Sequence, residues 1–171
     1  YEIVKNRHTR FFCNHSKIKL SLNVFAICVI SIILKNIRII SDYSMRKVMV
    51  FGTFDGLHDG HRAMLQEAKH LGDYLMVVVA QDHMVDHLKG HLPNKNFAER
   101  FEHLENQDGV DKVLIGDPIR CEWNVVTREK PDIIAIGHDQ DMLKKDLEDA
   151  LPRLKIKAEI KQLKYYERSK E

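Results

Sequence analysis

Three short stretches of this chain are apolar without alternation: Val48–Phe51, Tyr74–Ala80 and, between Asp132 and Gly137, Ile133–Ile136. A strand with one wet face alternates apolar and polar residues, whereas a strand covered on both faces does not. These runs are too short for buried helices, and stretches with helical spacing separate them. Gly60–Leu71 carries Met64, Leu65, Ala68 and Leu71 on one side and stops at Gly72. Asn96–Gln107 does the same with Phe97, Phe101 and Leu104, and Cys121–Glu129 and Asp141–Leu151 read as two further helices. Strands are placed at Lys47–Gly52, Tyr74–Ala80, Lys112–Gly116, Asp132–Gly137 and Ile156–Leu163, the last an edge by its alternating lysines. Strand and helix alternate through short connections. That order predicts an α/β fold, a doubly wound parallel five-stranded sheet with helices on both faces.

Such sheets bind ligands beyond the carboxyl ends of the strands, where the strand order reverses. The residues at those ends are Thr53–His61, Gln81–Lys89, Asp117 and His138–Gln140. Residues 52–61 read Gly-Thr-Phe-Asp-Gly-Leu-His-Asp-Gly-His, so a glycine turn leads into a helix opened by His58 and His61. Free N–H groups and the positive end of a helix dipole favour an anion there, phosphate above all. Imidazole donates hydrogen bonds and can hold positive charge near neutral pH. Gly60 removes a side chain where phosphate must approach the backbone. A metal pair fits less well, since metal-binding histidines on a helix more often stand four apart with a carboxylate nearby.

The 171 residues, 44% hydrophobic and 30% charged, suit one globular domain. Residues 1–44 hold seven Lys/Arg against two Asp/Glu, which leaves 20 against 23 for the remainder. A mildly acidic domain argues against nucleic acid as the partner. Cys13, Cys28 and Cys121 form neither a disulfide framework nor a metal spacing and fit a reducing, cytoplasmic compartment. The first 44 residues contain no Gly, no Pro and one Ala but nine Ile, and the first Met is Met45. The expectation is a domain at 45–171 behind a leader, 1–44, that lies outside the fold and is non-native or disordered. The competing reading is a signal anchor at Leu20–Leu34. Its fifteen residues fall short of the roughly 20 a membrane span needs, and no small-residue cleavage site follows. No membrane partner is expected.

Further pieces follow the decapeptide in order. Lys89-Gly90 comes after the second strand, Glu99-Arg100 opens a helix, Val110–Pro118 spans the third strand, and Pro131–Gln140 ends in Gly137-His138-Asp139-Gln140. Over essentially all of 45–165 the chain resembles the nucleotidyltransferase superfamily marked by His-x-Gly-His, specifically its small cytidylyltransferase-like members. Their Rossmann-like fold agrees with the sheet read above. Gly-His-Asp-Gln is more similar to the Gly-Tyr-Asp-Gln of archaeal-type FAD synthases than to the Gly-Asp-Asp of glycerol-phosphate and choline-phosphate cytidylyltransferases. The Lys-Gly ahead of Pro93 points the same way.

The resemblance implies transfer of a nucleoside monophosphate from ATP or CTP to a phosphorylated small molecule, with release of pyrophosphate. ATP with FMN comes first, CTP with a polyol or choline phosphate second, and a non-catalytic nucleotide-binding module third. His58 and His61 would hold the α and β phosphate oxygens, and Lys89 would supply a mobile charge. Gly52, Thr53, Phe54, Gly60, Gly137, His138, Asp139 and Gln140 would bind nucleotide, and Asp55 and Arg100 the other substrate. Mg²⁺ would arrive with the triphosphate rather than in a protein-held metal site, and a homodimer is implied by small relatives.

Residue chemistry leaves bland alternatives open. Lys89 can be a solvated lysine, Arg100 one half of a helix-surface ion pair, Asp117 a turn residue before Pro118 and Asp55 a helix cap. Trp123 reads as packing. His83, His87 and His91 recur every four residues, but Gly90 and Pro93 argue against a helical metal set by breaking any helix there. Two departures from the family pattern stand out. Asp59 puts a negative charge between the histidines, tolerable if it points outward in the first turn. A Ser/Thr-rich turn is implied after the last strand, where this chain has only Arg168-Ser169-Lys170. Those residues read either as the start of that element, cut short in a truncated domain, or as unrelated to it; without the element nucleotide would bind more weakly, with turnover at risk.

Overall fold

The computed structural model describes residues 45–166; the expectations for 1–44 and for Arg168-Ser169-Lys170 lie outside them. Along the described chain run β1 (Lys47–Gly52), α1 (Asp59–Lys69), β2 (Tyr74–Val79), α2 (Asp82–Lys89) and α3 (Phe97–Glu105). Then follow β3 (Lys112–Ile115), α4 (Asn124–Glu129), β4 (Ile133–Ile136), α5 (Asp141–Leu154) and β5 (Glu159–Gln162). The five strands form one sheet in the order β3-β2-β1-β4-β5, and every neighbouring pair is parallel.

The missing alternation in β1 and β2 is explained by what covers them. Val48 and Val50 join Val77, Val79 and Ala135 beneath Leu65 and Ala68 of α1 and Leu104 of α3. Met49, one residue out of phase, joins Met76, Val78, Ile134 and Ile136 against Val125 and Val126 of α4 and Leu147, Ala150 and Leu151 of α5. Each such side chain taken fully out of water contributes roughly 1.5–3 kcal/mol. A polar residue at any inner position of these strands would therefore face apolar neighbours whichever way it pointed. The sheet grows outward from β1 through β2 to β3, then the chain returns to place β4 on the other side of β1. The gap between the carboxyl ends of β1 and β4 is thus the switch point where a ligand has room.

Local differences from the sequence reading have local causes. Helix α2, which buries only Val85, was not expected, because Gly90 and Pro93 argue against a helix there. Gly90 does not preclude that helix but closes it: its φ of 74° lets its N–H reach Asp86 O at 2.7 Å. Helix α4 starts at Asn124, three residues later than expected, since Cys121 and Trp123 take φ values of 65° and 58°. β5 is shorter than the stretch from Ile156 to Leu163. Among the described residues no helix is long and apolar enough to cross a membrane.

Candidate active site

The head of α1 is built by its own histidines. His58 is the N-cap, with extended backbone, and its Nδ1 accepts the His61 N–H at 3.3 Å, a task usually given to Ser, Thr or Asp. His61 turns its Nδ1 to Gly56 O at 3.1 Å, and the two rings stack with centroids 3.8 Å apart. These bonds assign the tautomers. An Nδ1 that accepts leaves the His58 proton on Nε2, a donor at any pH; an Nδ1 that donates to a carbonyl makes His61 Nε2 a donor only in the imidazolium form. Behind them stands Phe54, buried at a φ of 53° with its ring 5.4 Å from that of His61. Gly52 leaves room for that ring, since a Cβ there would lie 2.6 Å from it. A Cβ on Gly60 would meet the Tyr166 carbonyl at 2.9 Å and the His58 ring at 3.1 Å, so the bare backbone accommodates the protein's own later residues. Asp59 is exposed and paired outward with Arg62 at 3.2 Å.

One cavity of about 550 Å³ brings together all the expected site residues except Arg100. His58, Gly60 and His61 line it with Gly52, Thr53, Phe54 and Asp55 from the turn after β1, Gly137, His138, Asp139 and Gln140 from the end of β4, and Lys89 from the end of α2. Lys89 is exposed, and among the described residues its ammonium makes no hydrogen bond or ion pair.

Arg100 requires a correction. It is 0% exposed and stands outside the cavity lining. Its Nε donates to Lys95 O at 3.1 Å, one terminal nitrogen to Thr53 O at 2.5 Å, and the other to Ala80 O at 2.7 Å and Asp82 Oδ1 at 2.6 Å. It thereby joins the turn after β1, the end of β2, the start of α2 and the approach to α3. The peptide after Thr53 is trans, so pulling its carbonyl onto Arg100 turns the Phe54 N–H the opposite way. Asp55 is likewise committed within the protein. Its carboxylate accepts the N–H and side-chain amide of Asn94, both at 2.8 Å, and Lys95 N–H at 2.9 Å, so it lines the cavity but does not cap α1. Desolvation raises its pKa, but these bonds and the Arg100 charge outweigh it and hold the carboxyl below its ordinary value.

Gln140 also has a structural task. Its Oε1 accepts Gly137 N–H at 2.8 Å and its Nε2 donates to Phe51 O at 3.0 Å, tying β4 to β1 across the switch point. His138 and Asp139 remain exposed at the cavity edge, with Gln162 Nε2 on the His138 carbonyl at 3.2 Å.

Sequence reasoning missed two walls. The first is Lys164–Tyr166, which lines the same cavity after β5. Glu67 on α1 anchors it by accepting Lys164 N–H at 3.0 Å; desolvation foremost, then the neighbouring Glu67 carboxylate, raises the pKa of the Tyr166 phenol. The Tyr165-Tyr166 doublet just past the last strand was the available signal. The second is a cavity of about 380 Å³ that shares Phe51, Gly52, Thr53, Lys89 and Gln140 with the first. Its other walls are mostly apolar: Val78, Met84, Leu88, Ile119, Trp123, Met142 and Leu143, with an Arg120–Asp146 ion pair at 2.7 Å. Trp123 packs in the core edge-on to Phe51, as the sequence reading has it, and also lines this cavity, while Asp117 accepts the Val125 N–H at the head of α4 at 3.2 Å. His83 binds Pro118 O at 2.8 Å, and no three His, Cys, Asp or Glu among the described residues are disposed to hold a metal.

A doubly wound sheet with stacked histidines capping the first helix defines a nucleotidyltransferase site, and the chain belongs to the cytidylyltransferase-like family, whose model matches residues 49–170. Within it the chain is an FAD synthase-like nucleotidyltransferase. It is 41% identical over 125 residues to the FAD synthase of Pyrococcus horikoshii, covering 73% of this chain and 84% of that protein. With the FAD synthase of Thermococcus sibiricus it shares 40% identity over 119 residues, 70% of this chain and 80% of the relative. Among solved structures it is similar to the lipopolysaccharide core biosynthesis protein of Thermoplasma volcanium, with a TM-score of 0.67 and 34% identity over 72% of this chain and 100% of the other.

Proposed function

We propose that the chain transfers AMP from ATP to the phosphate of FMN, forming FAD and releasing pyrophosphate. The observation that carries this reading is the meeting of two unlike cavities at the end of β1, one lined by His58 and His61 and the other by apolar side chains, with Lys89 on both. A triphosphate suits the first and a flat, largely apolar ring system the second. A polyol phosphate has nothing to bury against Leu88, Trp123 and Met142, which favours FMN over that class of acceptor. The FAD synthases among the relatives support the same pair of substrates.

An oxygen of the FMN phosphate attacks the α-phosphorus, the bond to the β-bridging oxygen breaks, and the electron pair leaves with pyrophosphate. No side chain need act as nucleophile, so rate comes from alignment and from donors placed where charge builds. His58 Nε2–H, and His61 Nε2 when its ring is protonated, are such donors, aided by the N-terminus of α1. Lys89 neutralises the approaching acceptor phosphate as a point charge. Among the described residues there is no carboxylate cage, and Asp55 is already bonded, which fits Mg²⁺ held mainly by phosphate oxygens and water. The ion would supply charge screening on the triphosphate.

A pyrophosphate-release assay crossing ATP and CTP with FMN, glycerol phosphate and phosphocholine tests the proposal. Release with ATP and FMN, lost in both His58→Ala and His61→Ala, is expected. Turnover with a polyol phosphate alone would reassign the acceptor, and unchanged rates in both variants would remove the mechanism.

A further inference from the structure

Tyr165 is a large ring left 60% exposed at the edge of the histidine-lined cavity. It is not loose. The residue before it is pinned to Glu67 through Lys164 N–H at 3.0 Å, and Leu163 before that is buried. Its ring meets that of His138 with centroids 4.4 Å apart and planes inclined at 66°. The His138 carbonyl accepts the Gln162 amide at 3.2 Å, which ties the turn after β4 to the β5 segment that leads into Tyr165. Two aromatic rings in edge contact, on segments held by hydrogen bonds to their backbone groups, thus share a cavity with the stacked histidines. The amide best placed to read a base edge, that of Gln140, is spent on Gly137 and Phe51.

We propose that Tyr165 and His138 form a stacking platform for the nucleobase, so that this chain selects its triphosphate by ring area, a purine ahead of a pyrimidine. The inference rests on the nucleotide reading of the histidine cavity and adds to it the element that chooses the base. Stacking is insensitive to the hydrogen-bonding edge but grows with the overlapped surface, and removal of an aromatic partner typically weakens binding roughly tenfold or more per base. Tyr165 acts on binding rather than on the bond being broken.

The test measures pyrophosphate release by the full chain with FMN saturating and ATP or CTP varied, in wild type, Tyr165→Ala and Tyr165→Phe. Tyr165→Ala is expected to raise the KM for ATP about tenfold and that for CTP by less, narrowing the ATP-to-CTP ratio of kcat/KM, with the KM for FMN unmoved. Tyr165→Phe keeps the ring and restores the KM for ATP to within about twofold. Inorganic tripolyphosphate, which has no base, should inhibit wild type and Tyr165→Ala equally. Equal losses for ATP and CTP, an unchanged KM for ATP, or weakened tripolyphosphate inhibition would each overturn the platform while leaving FMN adenylylation standing. If wild type releases no pyrophosphate with any acceptor, the transferase reading fails instead. Calorimetric titration of ATP against tripolyphosphate then decides the platform on its own: a loss in Tyr165→Ala confined to ATP supports it, and equal binding in both proteins refutes it.

Discussion

Replacing Arg100 with Leu should be the most damaging single change away from the cavity itself. The guanidinium is fully buried and makes four hydrogen bonds, to three backbone carbonyls and to Asp82. Removing one partner of a buried ion pair costs about 3–5 kcal/mol. Asp82 keeps 35% side-chain exposure, so water recovers part of its solvation and the low end applies. Stranding the carbonyls of Thr53 and Ala80 adds about 1 kcal/mol each, offset in part by the apolar contacts Leu gains, for a net near 4 kcal/mol. With a urea m-value of about 1.5 kcal/mol/M, the unfolding midpoint should drop by more than about 2 M. Urea titration followed by circular dichroism reads this directly, with m compared between the proteins. Arg100→Lys, which can satisfy only some of the acceptors, should fall between. A loss below about 1 kcal/mol in Arg100→Leu would refute the view that this side chain holds the turn after β1 to α2.

Three other outcomes follow from the same geometry. Asp111 is raised by burial but lowered more by the Lys69 ammonium and Leu75 N–H, so its folded pKa lies below its unfolded one. Its stabilisation is complete above about pH 4 and is lost as pH falls through the folded value, so Asp111→Asn should flatten the acid side of a stability–pH curve; a curve parallel to wild type would contradict this. Met142→Lys, in the apolar cavity and exposed at 61%, should raise the KM for FMN several-fold in the release assay and leave that for ATP unchanged. Gly52→Ala sets a Cβ 2.6 Å from the Phe54 ring and should slow turnover by displacing the ring that backs His61, an effect absent if kcat stays at the wild-type value.

By itself the sequence determined the doubly wound sheet and the head of α1. Both are short-range properties: Val48–Phe51 and Tyr74–Ala80 lack alternation because both faces are covered, and His58, Gly60 and His61 lie within one helical turn. Helix α2 was missed although Met84, Val85 and Leu88 stand at helical spacing, because Gly90 and Pro93 read as breaking any helix there, whereas Gly90 only ends it. Only the tertiary structure decided what Arg100, Asp55 and Gln140 do. A polar side chain at a strand end looks the same in sequence whether it meets substrate or backbone, and Gln140 finds Phe51 89 residues away. The pairing of Tyr165 with His138, and the apolar cavity assembled from α2, α5 and the loops after β1 and β3, have the same origin. Such contacts depend on where separate elements come to rest, and no periodicity within any one of them encodes that.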